Sequence, residues 1–136
     1  MAFSARSVFQ KEVVVVEDSE PVRKSLCLLL RTRGYKVKAF EHAEDALQAR
    51  LDQTPDCFLI DFKMPDMDGV ELLSRLRQAG YTAPAIMVTG CITPDMTARA
   101  RAAGFHSLIE KPPQRLALMD EVADAIAAHR PPTVSA

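Results

Sequence analysis

No apolar run in the chain exceeds four or five residues, too short to span a bilayer as a helix. The N-terminus, MAFSARSVFQ, has no continuous apolar core and does not read as a secretory signal. Excess charge of one sign is missing too: the formal net charge is -1, which gives no global basic field for holding nucleic acid. Cysteines are few. Cys27, Cys57 and Cys91 are odd in number and widely spaced, which excludes both a CxxC pair and a disulfide framework. Reduced, buried cysteines in a cytoplasmic protein are expected instead. His42, His106 and His129 lack ligand spacing, so a cysteine–histidine metal site is excluded as well. There is no internal repeat and no low-complexity segment. What remains is 136 residues, 48% hydrophobic and 26% charged, an ordinary composition for one globular domain.

Within that length, short β-branched or apolar runs alternate with amphipathic stretches. Lys11 to Val16 (KEVVVV) suits a strand buried on both faces, as in a parallel sheet. Ser19-Glu20-Pro21 then opens a helix carrying Val22, Leu26, Leu29 and Leu30, with Ser19 as N-cap and Gly34 as stop. The pattern repeats as a strand over 35–40, a helix over 44–52 with Leu47 and Leu51 one turn apart, and a strand over 57–60. A helix over 70–78 buries Leu72, Leu73 and Leu76, and a strand over 85–88 follows. Thr93-Pro94 caps a helix ending at Gly104, 106–109 is a short strand, and 114–129 is the last helix. On that helix Leu116, Met119, Val122 and Ile126 are expected inward, and Leu118 toward the outer face as a hint of a partner surface. Five strand–helix units predict a doubly wound α/β domain over 11–129, with helices on both faces of a parallel sheet. Segments 1–10 and 130–136 are expected to be disordered ends.

In open α/β sheets, ligands bind beyond the carboxyl ends of the strands. Read in order, those ends supply Glu17-Asp18, Asp61, Thr89-Gly90 and Lys111-Pro112. Converging carboxylates repel one another, and a hard divalent cation such as magnesium removes that cost. The set reads as an aspartate nucleophile, a metal and a lysine that neutralises phosphoryl oxygens. Asp61 belongs to the stretch LIDFKMPDMDG, which holds two further aspartates. Asp68 precedes Gly69 and a helix and reads as an N-cap, while Asp66 follows Pro65 and reads as a turn residue. A calcium loop fails, because that pattern needs acids where the chain has Met64 and Arg75.

The segments VVVVEDSEPVRKSL, LIDFKMPDMDGVELL, PAIMVTG and IEKPP, in this order, resemble the receiver domains of two-component response regulators. This is the CheY-like family, and the middle of the chain looks most similar to receivers of the FixJ and NtrC type. The resemblance implies a flavodoxin-like (βα)5 sandwich with strand order 2-1-3-4-5. It implies that Asp61 is the phosphoacceptor and that one Mg2+ is held by Asp18, Asp61 and the main-chain carbonyl of Lys63, with Glu17 acting through water. Thr89 and Lys111 would sense the phosphoryl group, Gly90 would leave it room, and Lys111-Pro112 would be cis. The family's usual aromatic switch position is occupied by Leu108, which has no ring to swing. Lys63 and Cys91 would flank the site and influence how long the acyl phosphate survives.

The implied donor is a sensor histidine kinase or a histidine phosphotransfer protein, and the implied output is an altered surface that binds another protein, without direct contact to nucleic acid or membrane. The expected protein is a stand-alone, cytoplasmic receiver and not an enzyme beyond self-phosphorylation and autodephosphorylation. A pseudo-receiver lacking phosphorylation is the alternative. A magnesium-dependent phosphatase of the haloacid dehalogenase kind is disfavoured, because its second aspartate is replaced here by Lys63. Arg23, Lys24, Arg31, Arg33, Lys36 and Lys38 form a basic cluster, read as a solvated face on which a kinase could dock.

Overall fold

The computed structural model describes residues 10–49 and 54–129. Five parallel strands lie in the order β2-β1-β3-β4-β5. In chain order the elements are β1 (Glu12–Val16), α1 (Glu20–Thr32), β2 (Lys36–Phe40), α2 (Ala43–Gln48), β3 (Cys57–Asp61), α3 (Gly69–Gln78), β4 (Ala85–Thr89), α4 (Pro94–Ala103), β5 (Ser107–Glu110) and α5 (Arg115–Ala128). The predicted architecture is therefore the observed one, with element ends shifted by a residue or two except in α2, which ends at Gln48, with Ala49 already extended, short of the predicted 52. Residues 50–52 of the second predicted helix, Leu51 among them, and the predicted disordered ends apart from Gln10 fall outside the described residues.

The continuous apolar runs of β1, β3 and β4 are buried throughout, because helices cover both faces of the sheet. Side chains alternate along each strand and so feed two cores. Val14, Phe58, Ile60 and Met87 pack with Leu72, Leu73 and Leu76 of α3 on one face. Val13, Val15, Leu59, Ile86 and Val88 pack with Leu26 and Leu30 of α1 and Leu118 and Val122 of α5 on the other. Each fully buried side chain of this size contributes about 1.5–3 kcal/mol. Helix α4 is an exception: Ala100 is its only fully buried residue, with Met96 and Ala103 half-buried. The sheet order reverses between β1 and β3, which places the crevice at the carboxyl ends of those strands.

Two caps follow the sequence reading. The Asp68 carboxylate accepts from the Glu71 N–H at 2.8 Å, and the Thr93 hydroxyl accepts from the Met96 N–H at 3.0 Å. Helices α1, α3 and α4 are followed by glycines at positive φ (Gly34, Gly80 and Gly104), a conformation that other side chains rarely adopt. Ser19 stands at the N-cap of α1, but its side chain makes no cap bond. Its N–H instead donates to Glu17 Oε2 at 3.1 Å, tying the acidic loop to itself. Asp66 does more than turn the chain, since its carboxylate accepts from the Glu44 N–H at 3.0 Å, at the start of α2. Slight burial works against this carboxyl's ionisation, but the backbone donors around Glu44 hold its pKa below the usual value.

The phase of α5 corrects the sequence reading. Leu118 is 0% exposed and Leu116 is 74% exposed, the reverse of what was expected. An α-helix advances about 100° per residue, so each three-residue step falls about 60° short of a full turn. Stepping back by threes from Val122 through Met119 carries Leu116 out of the buried stripe, whereas Leu118 lies within it. Cys91 is also exposed, unlike the buried Cys27 and Cys57.

Candidate functional site

The four strands β1, β3, β4 and β5 deliver their last residues to one edge of the sheet. Glu17, just beyond β1, is 1% exposed, and Asp61, the last residue of β3, is 2% exposed. Asp18 is half-buried beside them. One carboxylate oxygen from each of Glu17, Asp18 and Asp61 lies within 4.8 Å of the others. Lys111 reaches this group from beyond β5. Its Nζ is 3.0 Å from Asp61 Oδ1, 3.1 Å from Glu17 Oε1 and 3.2 Å from Glu17 Oε2. The Lys111 backbone N–H donates to the Thr89 carbonyl at 2.8 Å, which continues the β4–β5 ladder one residue further. The Lys111-Pro112 peptide bond is cis.

The side chains of the remaining predicted residues make no hydrogen bond or ion pair to the carboxylates of this centre among the described residues. Thr89 is buried, and its hydroxyl donates to the Cys91 carbonyl at 3.3 Å and not to Asp61. Lys63 is exposed in the turn after β3. Leu108 pairs with Met87 in the sheet and packs half-buried against the first core. At Gly90 a Cβ would meet no protein atom within 4 Å, so nothing in the protein itself excludes a side chain there.

Gly69 is where a side chain is excluded. A Cβ there would lie 2.7 Å from the Asp61 carbonyl oxygen and 3.1 Å from Ile60 Cγ2. The first residue of α3 thus abuts the backbone that carries Asp61, and its N–H donates to the Phe62 carbonyl at 2.8 Å. Gly69→Ala is expected to cost about 1–2 kcal/mol through overpacking, read by urea unfolding. Unchanged stability would show that α3 can retreat freely. Sequence reasoning gave Gly69 no role of its own; the Asp-Gly pair before the third helix was its only signal.

Two further contacts were not legible either. Arg23, assigned to the solvated basic face, turns inward: its Nη1 donates to the Glu17 carbonyl at 2.9 Å and the Asp18 carbonyl at 3.4 Å. Its neighbour Lys24 stays outside, paired with Glu20 at 2.8 Å. The guanidinium of Arg99 on α4 lies 5.4 Å from the centroid of the Phe62 ring, a cation–π contact next to Asp61.

Burial is the main reason the Asp61 pKa is pushed up from 3.8 to about 7, and the neighbouring carboxylates of Asp18 and Glu17 add to it. Lys111 opposes that rise. Lys111 is itself shifted upward: burial disfavours its charge, but its hydrogen bonds to Asp61 and Glu17 outweigh that cost. Asp61 Oδ2 is buried without a hydrogen-bond partner among the described residues. An unsatisfied buried carboxylate oxygen in a cluster of three carboxylates, which among the described residues includes no histidine or cysteine, fits a hard cation of the magnesium kind.

The sequence matches the response regulator receiver domain family over residues 13–123. FixJ of Rhizobium meliloti is 41% identical over 100 residues, covering 74% of this chain and 49% of FixJ. TdiR of Thauera aromatica is 33% identical over 118 residues, covering 87% of this chain and 52% of TdiR. The crystal structure of FixJ-N superposes with a TM-score of 0.80 at 34% identity, covering 90% of this chain and 98% of that one. A putative response regulator from Chloroflexus aurantiacus matches with a TM-score of 0.80 at 29% identity, covering 87% of this chain and 98% of that one. The chain belongs to the receiver domains of two-component response regulators, with the CheY-like fold. It spans about half the length of FixJ and TdiR. Receiver domains are signalling domains that accept phosphoryl groups from histidine kinases and bind magnesium at an acidic pocket, and in this structure Glu17, Asp18 and Asp61 form an acidic cluster. No described helix is long and apolar enough to cross a membrane.

Proposed function

We propose that Asp61 accepts the phosphoryl group of a phosphohistidine and that the resulting acyl phosphate switches a protein-binding surface. The observation that carries this reading is the buried Asp61 carboxylate, with Oδ1 on the Lys111 ammonium at 3.0 Å and Oδ2 unpartnered. In the transfer, an Asp61 oxygen forms a bond to phosphorus as the bond to the donor imidazole breaks, and the imidazole takes up the leaving electron pair. Lys111 balances charge on the transferred oxygens, and Thr89 follows the phosphoryl group by leaving its turn with Cys91. Glu17, Asp18, Asp61 and the Lys63 carbonyl would hold the cation, which supplies charge neutralisation to the phosphoryl oxygens. A sensor histidine kinase or a histidine phosphotransfer protein is the donor, and a protein partner receives the signal. The added charge shifts the population between two packings around β4, α4 and β5.

The test is incubation with acetyl phosphate and Mg2+, read by intact mass and a phosphate-affinity gel. One phosphoryl group is expected on the wild type, none on Asp61→Asn, and none when EDTA removes the cation. Wild-type protein that stays unlabelled across all Mg2+ concentrations would instead mark a pseudo-receiver.

A further inference from the structure

We infer that Arg23 is a positioning residue for the cation subsite, acting through the backbone of the loop that carries Glu17 and Asp18. This inference rests on the proposed reading of that acidic cluster as the magnesium site of a phosphoacceptor. Three consecutive carbonyl oxygens of the loop end on this one residue. Its Nη1 donates to Glu17 O at 2.9 Å and to Asp18 O at 3.4 Å, and its backbone N–H donates to Ser19 O at 2.8 Å. The loop is pinned at its other side by the Glu17 N–H, which donates to Phe40 O at 3.0 Å. Between these anchors the peptide planes on either side of Asp18 have little freedom.

That restraint matters because the side chains themselves supply little. Apart from its contact with the Asp61 carboxyl, the Asp18 carboxylate makes no hydrogen bond or ion pair to a side chain among the described residues, so its place depends on its backbone. Ser19, which stands where a helix cap would hold the loop from the front, makes no side-chain cap bond. Arg23 holds it from behind, with a planar guanidinium whose donors have fixed directions. Without it, two carbonyl oxygens turn to water and the carboxylate of Asp18 spreads over several positions. A cation that needs close, near-ideal oxygen geometry is sensitive to that spread. Groups that orient metal ligands typically govern about 10–100-fold in metal affinity.

The experiment uses Mn2+ as the probe, since carboxylate, carbonyl and water ligands suit it as they suit magnesium. Free Mn2+ is followed by electron paramagnetic resonance in wild type, Arg23→Ala, Arg23→Lys and Lys24→Ala. Arg23→Ala is expected to weaken Mn2+ binding about 10-fold. Arg23→Lys should recover part of that loss, because an ammonium can reach one carbonyl. Lys24→Ala removes the same charge from the same helix, without a loop contact, and should stay within about 2-fold of wild type. In acetyl phosphate labelling, Arg23→Ala should need about 10-fold more Mg2+ for half-maximal incorporation while reaching the wild-type plateau. Equal Mn2+ affinity in Arg23→Ala and wild type overturns the inference, as does an equal loss in Lys24→Ala, which would make the effect one of charge at a distance. If Arg23→Ala does not fold, the lysine variant decides, and wild-type affinity there overturns the inference. Wild-type protein that binds no Mn2+ overturns the cation site itself, an outcome distinct from the others.

Discussion

In metal-free protein at pH 8, Asp61→Asn is expected to raise the unfolding free energy by about 2–4 kcal/mol, on the order of 10 °C in Tm. Burial and the neighbouring acids lift the Asp61 pKa from 3.8 to about 7. The native state therefore holds a proton that the unfolded chain has already lost, across the interval between those values. Wild-type stability falls as pH rises from about 4 to about 7 and flattens above, since the raised pKa opposes folding of the ionised form. Asparagine removes the ionisation while nearly preserving shape, and Lys111 keeps its contacts with Glu17. The stabilisation should therefore shrink as pH approaches 4 and be constant above about 7. Melting curves of both proteins in EDTA from pH 4 to pH 9 measure it. A gain that does not depend on pH would mean that packing, not ionisation, separates the two. Added Mg2+ should raise the wild-type Tm at pH 8 and leave the variant nearly unmoved.

Lys111→Met is expected to act in the opposite direction, costing about 3 kcal/mol at pH 8. The substitution keeps an apolar stem of similar length and removes the charge that Glu17 and Asp61 share. Two carboxylates that are 1% and 2% exposed are then left without a cation. Lowering the pH allows Asp61, whose pKa is raised to about 7, to take up a proton, so the loss should shrink toward pH 5. The ion pairs hold the Lys111 pKa above its ordinary value, so with Asp61 ionised, above about pH 7, their stabilisation is complete up to about 10.5 and is lost as pH rises through the higher folded value. Urea unfolding at pH 5 and pH 8 separates the contributions, and an equal loss at both would assign it to packing of the new side chain and not to the missing charge. In Asp61→Asn/Lys111→Met the two changes should not add, because each alters the charge the other feels.

Much of this site could be read from the residues alone. The strand over 57–61 is a buried β run, and an acid at its carboxyl end in a doubly wound sheet has few places to go. Lys111 lies 94 positions from Glu17, yet strand order alone carries both to the same edge. What could not be read is how side chains divide their contacts once there. Nothing local distinguishes Arg23 from Lys24, adjacent on one helix, although one grips the loop carbonyls and the other pairs with Glu20. Ser19 has the residue type and position of a cap, but its side chain makes no cap bond, and its N–H donates to the Glu17 carboxylate two residues back. Asp66 acts on a helix 22 residues away, a distance no turn rule spans. The reversal of Leu116 and Leu118 arose from spacing by threes in a helix whose buried stripe is narrow.

The sparse packing of α4 bears on how a signal could leave the site. With Ala100 as its only fully buried residue, this helix forfeits little apolar burial if it slides or lifts. It connects β4, which ends in Thr89, to β5, which leads to Lys111, so the two residues proposed to sense the phosphoryl group lie on the strands it joins. Elements with few buried contacts occupy the low-energy end of a protein's opening spectrum, well below the cooperative unit formed by the central strands. A few kcal/mol of differential binding is enough to invert such an equilibrium. The fold thus joins a densely packed floor, in which Asp61 is buried, to one loosely moored wall.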